Sequence, residues 1–153
     1  MNLLNLDTLA IDSKTNDLVL LLETAENEVL PIWIGNMEGV SIAMKLARKK
    51  PRRPMTHDFM ESLMQGLRVR LIRVVITSLV DDIYYALAYF QKDGDLIVVD
   101  ARPSDSIALA LRTDAPIFAA DDLPLVSADE SDERRQRLDK RLRRIEPEQL
   151  IGE

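Results

Sequence analysis

The sequence predicts an α+β fold: a single mixed α/β domain built from two duplicated strand–strand–strand–helix units. The chain has 153 residues, of which 46% are hydrophobic, and this suffices for the core of one domain. When the sequence is shifted by 65 residues against itself, residues 6–51 align with 71–116 and give eleven identities. Several identities fall in the pattern SIAxxL, which forms one apolar face of a helix. The second half therefore repeats the first.

Each copy contains apolar segments of strand length followed by one helical segment. In the first copy, the predicted strands are 3–12, 18–24 and 29–35, and the helix is 37–49. In the second copy, the predicted strands are 67–79, 83–90 and 95–100, and the helix is 103–113. The tetrapeptide KDGD at 92–95 predicts a hairpin turn between the last two strands.

The segments outside the repeat are predicted from their breakers and caps. Pro51 and Pro54 interrupt the chain, after which Thr56 is expected to cap a helix over 57–66. Ser131 is expected to cap a last, charged helix that ends near residue 144. We therefore divide the chain into a domain at 1–130 and a charged C-terminal helix and tail at 131–153.

Charge and composition limit the partners. The chain has no cysteine, which fits a reducing compartment and predicts a cytoplasmic protein, and no apolar run approaches the length of a membrane span. A net charge of −6 argues against nucleic acid when taken alone. Residues 45–73, however, hold nine basic residues against two acidic ones. A polyanion such as RNA or single-stranded DNA is therefore a possible partner.

Two polar hinges join the third strand of each copy to its helix. The hinges are GNMEG at 35–39 and DARPSD at 100–105, and they occupy equivalent positions in the repeat. Pro103 suits the first turn of a helix, and Asp105 is expected to cap that helix. A pseudo-two-fold packing would bring both hinges to one crevice, where helices begin and sites tend to form.

Three segments together resemble the bifunctional nuclease family: LPIWIG at 30–35, RRPMTHDF at 52–59 and VVDARPSDSIALALR at 98–112. The resemblance covers roughly residues 1–130. It implies a mixed α/β domain, a homo-oligomer (a dimer or higher) and, in some members, nuclease activity on both DNA and RNA. It implies no particular catalytic residue.

The candidate catalytic residues come from the hinges and from the only histidine. His57 can serve as a general base or as a metal ligand, or it can be a polar residue in a first helical turn. Glu38, Asp100 and Asp105 could converge on Mg²⁺ or Mn²⁺, with Asp100 and Asp105 as the metal candidates. Alternatively, Arg102 could pair with Asp100 or Asp105 and lock the hinge.

Phosphate binding is assigned to basic residues. Arg102 could meet a phosphate through its planar fork, and the run that ends before His57 could track a nucleic-acid backbone through Lys49, Lys50, Arg52 and Arg53. The aromatic residues, Trp33 among them, are expected in the core. The hypothesis is thus a nuclease that hydrolyses RNA and single-stranded DNA. The alternatives are an anion-binding regulatory module without turnover and an oligomeric scaffold.

Overall fold

The computed structural model describes residues 1–152 and shows eight strands and five helices. The strands are β1 (Asn2–Asp12), β2 (Leu18–Glu23), β3 (Val29–Ile34), β4 (Arg70–Val80), β5 (Ile83–Lys92), β6 (Asp95–Ala101), β7 (Ile117–Ala119) and β8 (Leu142–Ile145). The helices are α1 (Asn36–Leu46), α2 (Thr56–Leu67), α3 (Pro103–Thr113), α4 (Glu133–Arg141) and α5 (Pro147–Ile151). Within residues 1–152, no helix is long and apolar enough to cross a membrane.

All eight strands belong to one mixed sheet, which confirms the mixed α/β class. Its order is β3-β2-β1-β7-β4-β5-β6, and β8 also pairs with β1. Neighbouring strands run antiparallel except for β4 and β7, which are parallel. The sheet therefore has two antiparallel three-strand units, β1–β2–β3 and β4–β5–β6, with the short β7 between them.

Both halves have the expected order of three strands and a helix. The pairing of β1 with β2 shifts register between Leu6 and Thr8, and that of β4 with β5 shifts between Leu71 and Arg73. These two irregularities lie 65 residues apart, at the offset that the sequence predicts. The closer expectation, that residues 6–51 and 71–116 superpose as duplicated units, stays a prediction.

The hairpin of the second half turns where the sequence predicts. Lys92 pairs with Asp95, and the two residues between them, Asp93 and Gly94, have φ values of 50° and 83°. Positive φ at both central positions is the geometry that matches the twist of two paired strands. This turn places β6 at the free edge of the sheet.

The core covers both faces of the first three-strand unit, and its main cluster also includes buried residues of β4 and β5. Leu18, Leu20 and Leu22 of β2 pack in the main cluster with α1 and α3, whereas Val19 and Leu21 pack in a smaller cluster with residues of α4 and β8. Because β2 is covered on both faces, its sequence LVLLL has no polar alternation. The equally apolar β6 is exposed along nearly its whole length.

Helix α1 approaches the sheet closely at Gly39. A Cβ atom built on this residue would collide with the Leu18 side chain and would lie 3.4 Å from the Leu150 side chain of α5. A glycine therefore allows α1 to sit against β2 while α5 closes over it. This contact fixes the position of the α1 side chains described below.

Two of the expected helix boundaries are wrong. Met55, and not Thr56, is the N-cap of α2, and its backbone N–H donates to the Asp58 carboxylate over 3.0 Å. The helix expected over 131–144 begins at Glu133 after the Asp132 cap and ends at Arg141. Residues 142–145 form β8 instead, because β1 offers a free edge with which Leu142 and Ile145 pair.

Candidate functional site

Three helices meet at a hydrogen-bonded chain of side chains. Ser41 of α1 shares a hydrogen bond of 2.6 Å between its Oγ and the Nδ1 of His57, which lies in the first turn of α2. The other ring nitrogen of His57, Nε2, lies 3.0 Å from Oδ1 of Asp105 in α3. A neutral imidazole that donates Nε2–H to Asp105 accepts the Ser41 proton at Nδ1. The arrangement is that of a hydroxyl, a base and an orienting carboxylate.

Arg102 connects this chain to Glu38. Its Nε donates to Oδ2 of Asp105 over 2.8 Å, and its Nη2 donates to Oε1 of Glu38 over 2.7 Å. The side chain of Arg102 is nevertheless 65% exposed. The prediction that both hinges meet is therefore confirmed at Glu38, Arg102 and Asp105, and the Arg102 fork keeps an outer face in solvent.

The charge of Asp105 is stabilised by its partners. Burial disfavours the ionised carboxyl, but hydrogen bonds from Arg102 and His57 outweigh burial and hold its pKa below the ordinary value. Asp105 and Glu38 in turn raise the pKa of Arg102, and the hydrogen bond to Asp105 is the largest cause. Asp105 is thus a carboxylate that faces the imidazole, as an orienting group requires.

A second network fixes the helices beneath the first. The buried Arg112 of α3 donates Nε to Asp58 over 2.9 Å, Nη1 to the Ala108 carbonyl over 3.0 Å and Nη2 to the Ser41 carbonyl over 3.1 Å. Burial works against the Asp58 charge, but the hydrogen bonds from Arg112 and from the Met55 N–H lower its pKa. Arg112 therefore holds Ser41 and the start of α2 in place.

Asp100 does not join the site. It is exposed on the edge strand β6, and no hydrogen bond or ion pair of its side chain occurs among residues 1–152. The expectation that Asp100 shares a network with Arg102 is wrong, because Glu38 of the other hinge takes that place. Asp105 does not cap α3 through its side chain either, since its two oxygens face His57 and Arg102.

The carboxylates do not fit a divalent cation. Glu38 and Asp105 are joined by the Arg102 guanidinium, so an ion between them would have to displace that charge. In the part of the chain that the structure describes, no three His, Asp or Glu side chains are grouped so that they could hold a metal. The expected site for Mg²⁺ or Mn²⁺ is therefore not formed by Glu38, Asp100 and Asp105.

The network lines a small cavity of about 150 Å³. Its wall includes Ser41, His57, Arg102 and Asp105, and of these Ser41 and His57 are themselves buried. A second cavity of about 200 Å³ lies on the other side of the α2 start and is lined by Asp58, Lys49 and Lys50. Arg52 and Arg53 lie exposed in the loop between α1 and α2.

Two residues of the site escaped the sequence analysis. Ser41 falls within the pattern SIAxxL, where a small residue between apolar neighbours indicates a packed helix face. Its repeat counterpart, Ser106, donates to the backbone carbonyls of Arg102 and Pro103 and gives no hint of a different role. Arg112 follows the apolar run IALAL of α3. An arginine at the end of an apolar helix face was the one signal in the sequence, and the structure shows that this arginine is buried.

The fold and the site define a mixed α/β protein with a Ser–His–Asp hydrogen-bond chain beside a cationic surface. The model of the bifunctional nuclease domain matches residues 19–130, and the chain belongs to this family. An uncharacterized protein of Mycobacterium tuberculosis is 39% identical over 128 residues, which cover 80% of this chain and 76% of that protein.

Plant relatives carry the family's name. Bifunctional nuclease 2 of Arabidopsis thaliana is 32% identical over 105 residues, which are 65% of this chain and 31% of that protein. Bifunctional nuclease 1 of Oryza sativa subsp. indica is 31% identical over 105 residues, again 65% of this chain and 31% of that protein. The matched part is thus about a third of each plant protein.

Proposed function

We propose that this protein hydrolyses phosphodiester bonds in RNA and single-stranded DNA and that His57 is its general acid and base. The observation that carries the proposal is the His57 imidazole, held between Ser41 and Asp105 on the wall of a cavity. Histidine is the side chain that exchanges protons near neutral pH, and proton transfer is what phosphodiester hydrolysis requires. Membership of the bifunctional nuclease domain family supports the same reaction class.

The nucleophile has to come from the protein or from water. DNA lacks the 2′-hydroxyl, so an enzyme that cleaves both nucleic acids at one site cannot depend on that group. The Ser41 hydroxyl, 2.6 Å from His57 Nδ1, can pass its proton to the imidazole as it attacks phosphorus. His57 can then return the proton to the leaving oxygen. A water that gives its proton to His57 would next attack phosphorus, release the phosphate-ended strand and leave Ser41 Oγ to take that proton back.

Arg102 would stabilise the charge on the phosphate. Its guanidinium lies on the same cavity as Ser41 and His57, and its position is fixed by Asp105 and Glu38. A fork that is already oriented and still exposed can donate to a phosphate oxygen without reorganising. Glu38 is therefore a positioning residue for Arg102, and Asp105 positions both Arg102 and His57.

Basic residues near the start of α2 would hold the strand that enters the site. Lys49 and Lys50 line the cavity beside Asp58, which is the sequence neighbour of His57. Arg52 and Arg53 extend this charge along the exposed loop. Binding that depends on these four residues should weaken as salt rises, because phosphate contacts release counterions.

The test is cleavage of a labelled single-stranded RNA and its DNA counterpart by the purified chain. We expect His57→Gln and Ser41→Ala to reduce cleavage of both substrates at least about 100-fold, the lower range for loss of an acid–base group. Ser62→Ala, an exposed serine on α2, is the matched control and should cleave normally. Cleavage should also persist in a chelator, since the carboxylates do not form a metal site.

The outcome separates this proposal from its alternative. If the wild-type chain binds RNA but cleaves neither substrate, the exposed Arg102 fork serves anion binding without turnover. If His57→Gln cleaves at the wild-type rate, the imidazole is a structural link between α1 and α3. A requirement for a divalent cation would place the chemistry at other residues.

A further inference from the structure

A cavity of about 580 Å³ lies between α4 and the first three-strand unit, apart from His57. Its wall combines two aromatic residues, Trp33 and Tyr84, with five cationic residues. The cationic residues are Lys14, Arg134, Arg137, Lys140 and Arg141. A volume of this size is typical of sites for small organic ligands. The proposed chemistry at His57 uses none of these side chains.

Trp33 is oriented without being buried. Its Nε1 donates to Oδ2 of the fully buried Asp12 over 2.9 Å, and Arg141 Nη2 contacts the same oxygen at 2.7 Å. The Arg141 guanidinium lies over the indole at 5.6 Å from the ring centre. The residue remains 39% exposed, so the expectation of a core tryptophan is wrong. A fixed and exposed aromatic ring is a prepared stacking surface.

The charges on this wall are only partly neutralised within the protein. Arg141 pairs with Asp12, and Arg137 lies 3.8 Å from Glu133. Among residues 1–152, the side chains of Lys14 and Lys140 make no ion pair, and the side chain of Arg134 donates only to the Pro124 carbonyl. In a chain whose net charge is −6, this concentration of positive charge favours an anionic ligand.

We propose that this cavity binds a nucleotide unit, with the base stacked on Trp33 and the phosphate held by the cations of α4. An aromatic base joined to a phosphate fits this wall, because the base can stack on the aromatic residues and the phosphate can bind the cationic residues. The unit can be a free nucleotide or one residue of a single strand. Both ligands offer a base and a phosphate. A free nucleotide ends at its phosphate, whereas a strand continues from it to the next nucleotide.

The surface between this cavity and Arg102 favours a strand. A cavity of about 270 Å³ is lined by Trp33, Tyr84 and Arg102, so it shares residues with the cavity under α4 and with the one at His57. A strand anchored at Trp33 would pass Tyr84 and reach Arg102 with a neighbouring phosphate. This extension rests on the proposed function, whereas the nucleotide site itself does not.

Trp33 is the only tryptophan, so its fluorescence reports on this site alone. The full-length protein is titrated with adenosine monophosphate, with a short single-stranded oligoadenylate and with inorganic phosphate. We expect saturable quenching by both nucleotides, with tighter binding of the oligoadenylate, and none by phosphate. Quenching by the mononucleotide alone would overturn the strand path and keep the site, and equal quenching by phosphate would overturn the stacking.

Variants test the two halves of the wall. Arg137→Gln with Lys140→Gln should weaken binding about 10-fold or more, because two phosphate contacts are lost. Arg70→Gln, an exposed arginine on β4, is the matched control and should bind normally. Trp33→Leu, followed by equilibrium dialysis, should lose about 10-fold or more from the loss of base stacking. Trp33→Phe keeps an aromatic ring and should retain much of the binding. Retained binding would show that the fold tolerates a substitution at this position.

Two results would overturn the proposal: no saturable binding of either nucleotide, or binding that Arg137→Gln with Lys140→Gln leaves unchanged. The experiment is independent of cleavage. His57→Gln should bind adenosine monophosphate like the wild type, because His57 does not line this cavity, so failure of the His57 chemistry leaves this result interpretable. Conversely, a wild-type chain that cleaves both substrates but binds neither nucleotide saturably would retain the proposed function and reject this site.

Discussion

The most direct test of the site's framework is removal of the Arg112 guanidinium. Arg112→Met keeps an unbranched apolar stem of similar length, but it removes three hydrogen bonds at 2.9, 3.0 and 3.1 Å. The Arg112 side chain is 5% exposed and that of Asp58 is 28% exposed. The substitution therefore leaves a carboxylate and the Ser41 carbonyl without their donor, in places that water reaches poorly.

The magnitude follows from these contacts. Removing one partner of a buried ion pair costs about 3–5 kcal/mol in free energy of unfolding. Because Asp58 is partly exposed and keeps the Met55 N–H, we expect the lower end, about 3 kcal/mol. For a chain of this size, that corresponds to a fall in Tm of about 6–12 °C.

Urea unfolding and thermal melting of Arg112→Met measure this loss, with Arg53→Met as the control. Arg53 is exposed in the loop before α2, so its substitution should change the unfolding free energy by less than about 0.5 kcal/mol. An Arg112→Met loss below about 1 kcal/mol would refute the reasoning, since that is the scale of an exposed pair.

Three further predictions concern packing, pH and assembly. Gly39→Ala should destabilise the protein by about 1–3 kcal/mol in urea unfolding because its Cβ would collide with β2, whereas Gly66→Ala, with open space around it, should be neutral or stabilising. The depressed pKa of Asp105 adds stability that is fully present above about pH 5 and is lost as the pH falls through the folded pKa. The difference in unfolding free energy between wild type and Asp105→Asn should therefore shrink in acid, and a constant difference would contradict this. The exposed apolar edge of β6 should join copies of the chain, so Val98→Lys should reduce the mass seen in sedimentation; a monomeric wild type would contradict this.

Local sequence patterns predicted the strands and helices themselves better than they predicted which of these elements are buried. The runs LVLLL in β2 and LIVV in β6 are equally apolar, yet β2 is buried on both faces and β6 is exposed on both. Burial depends on which elements cover a strand, and no pattern within the strand carries that information. The same limit explains β8, in which Leu142 and Ile145 pair with residues of β1 that lie 130 or more positions earlier in the chain.

The site was predicted in part for the same reason. The hinge residues Glu38, Arg102 and Asp105 were identified because equivalent positions in a repeat suggest proximity, and they do meet. Asp100 was included because it adjoins Arg102 in sequence, but an edge strand turns it to solvent. Ser41 was missed because its chemistry depends on a histidine from another helix, which the pattern of α1 does not contain.

The pairing of β1 with β8 also bears on how the chain is made. The first strand to leave the ribosome cannot complete its edge until residues 142–145 have been synthesised, because Leu9–Asp12 have their partners there. The fully buried carboxylate of Asp12 likewise has no arginine partner until Arg141 has been synthesised. A fragment cut to residues 19–130, the span of the family match, would lack both strands and expose the small cluster around Val19 and Leu21. The segments that flank the family's domain thus pair with each other across the whole chain, and this pairing can form only near the end of synthesis.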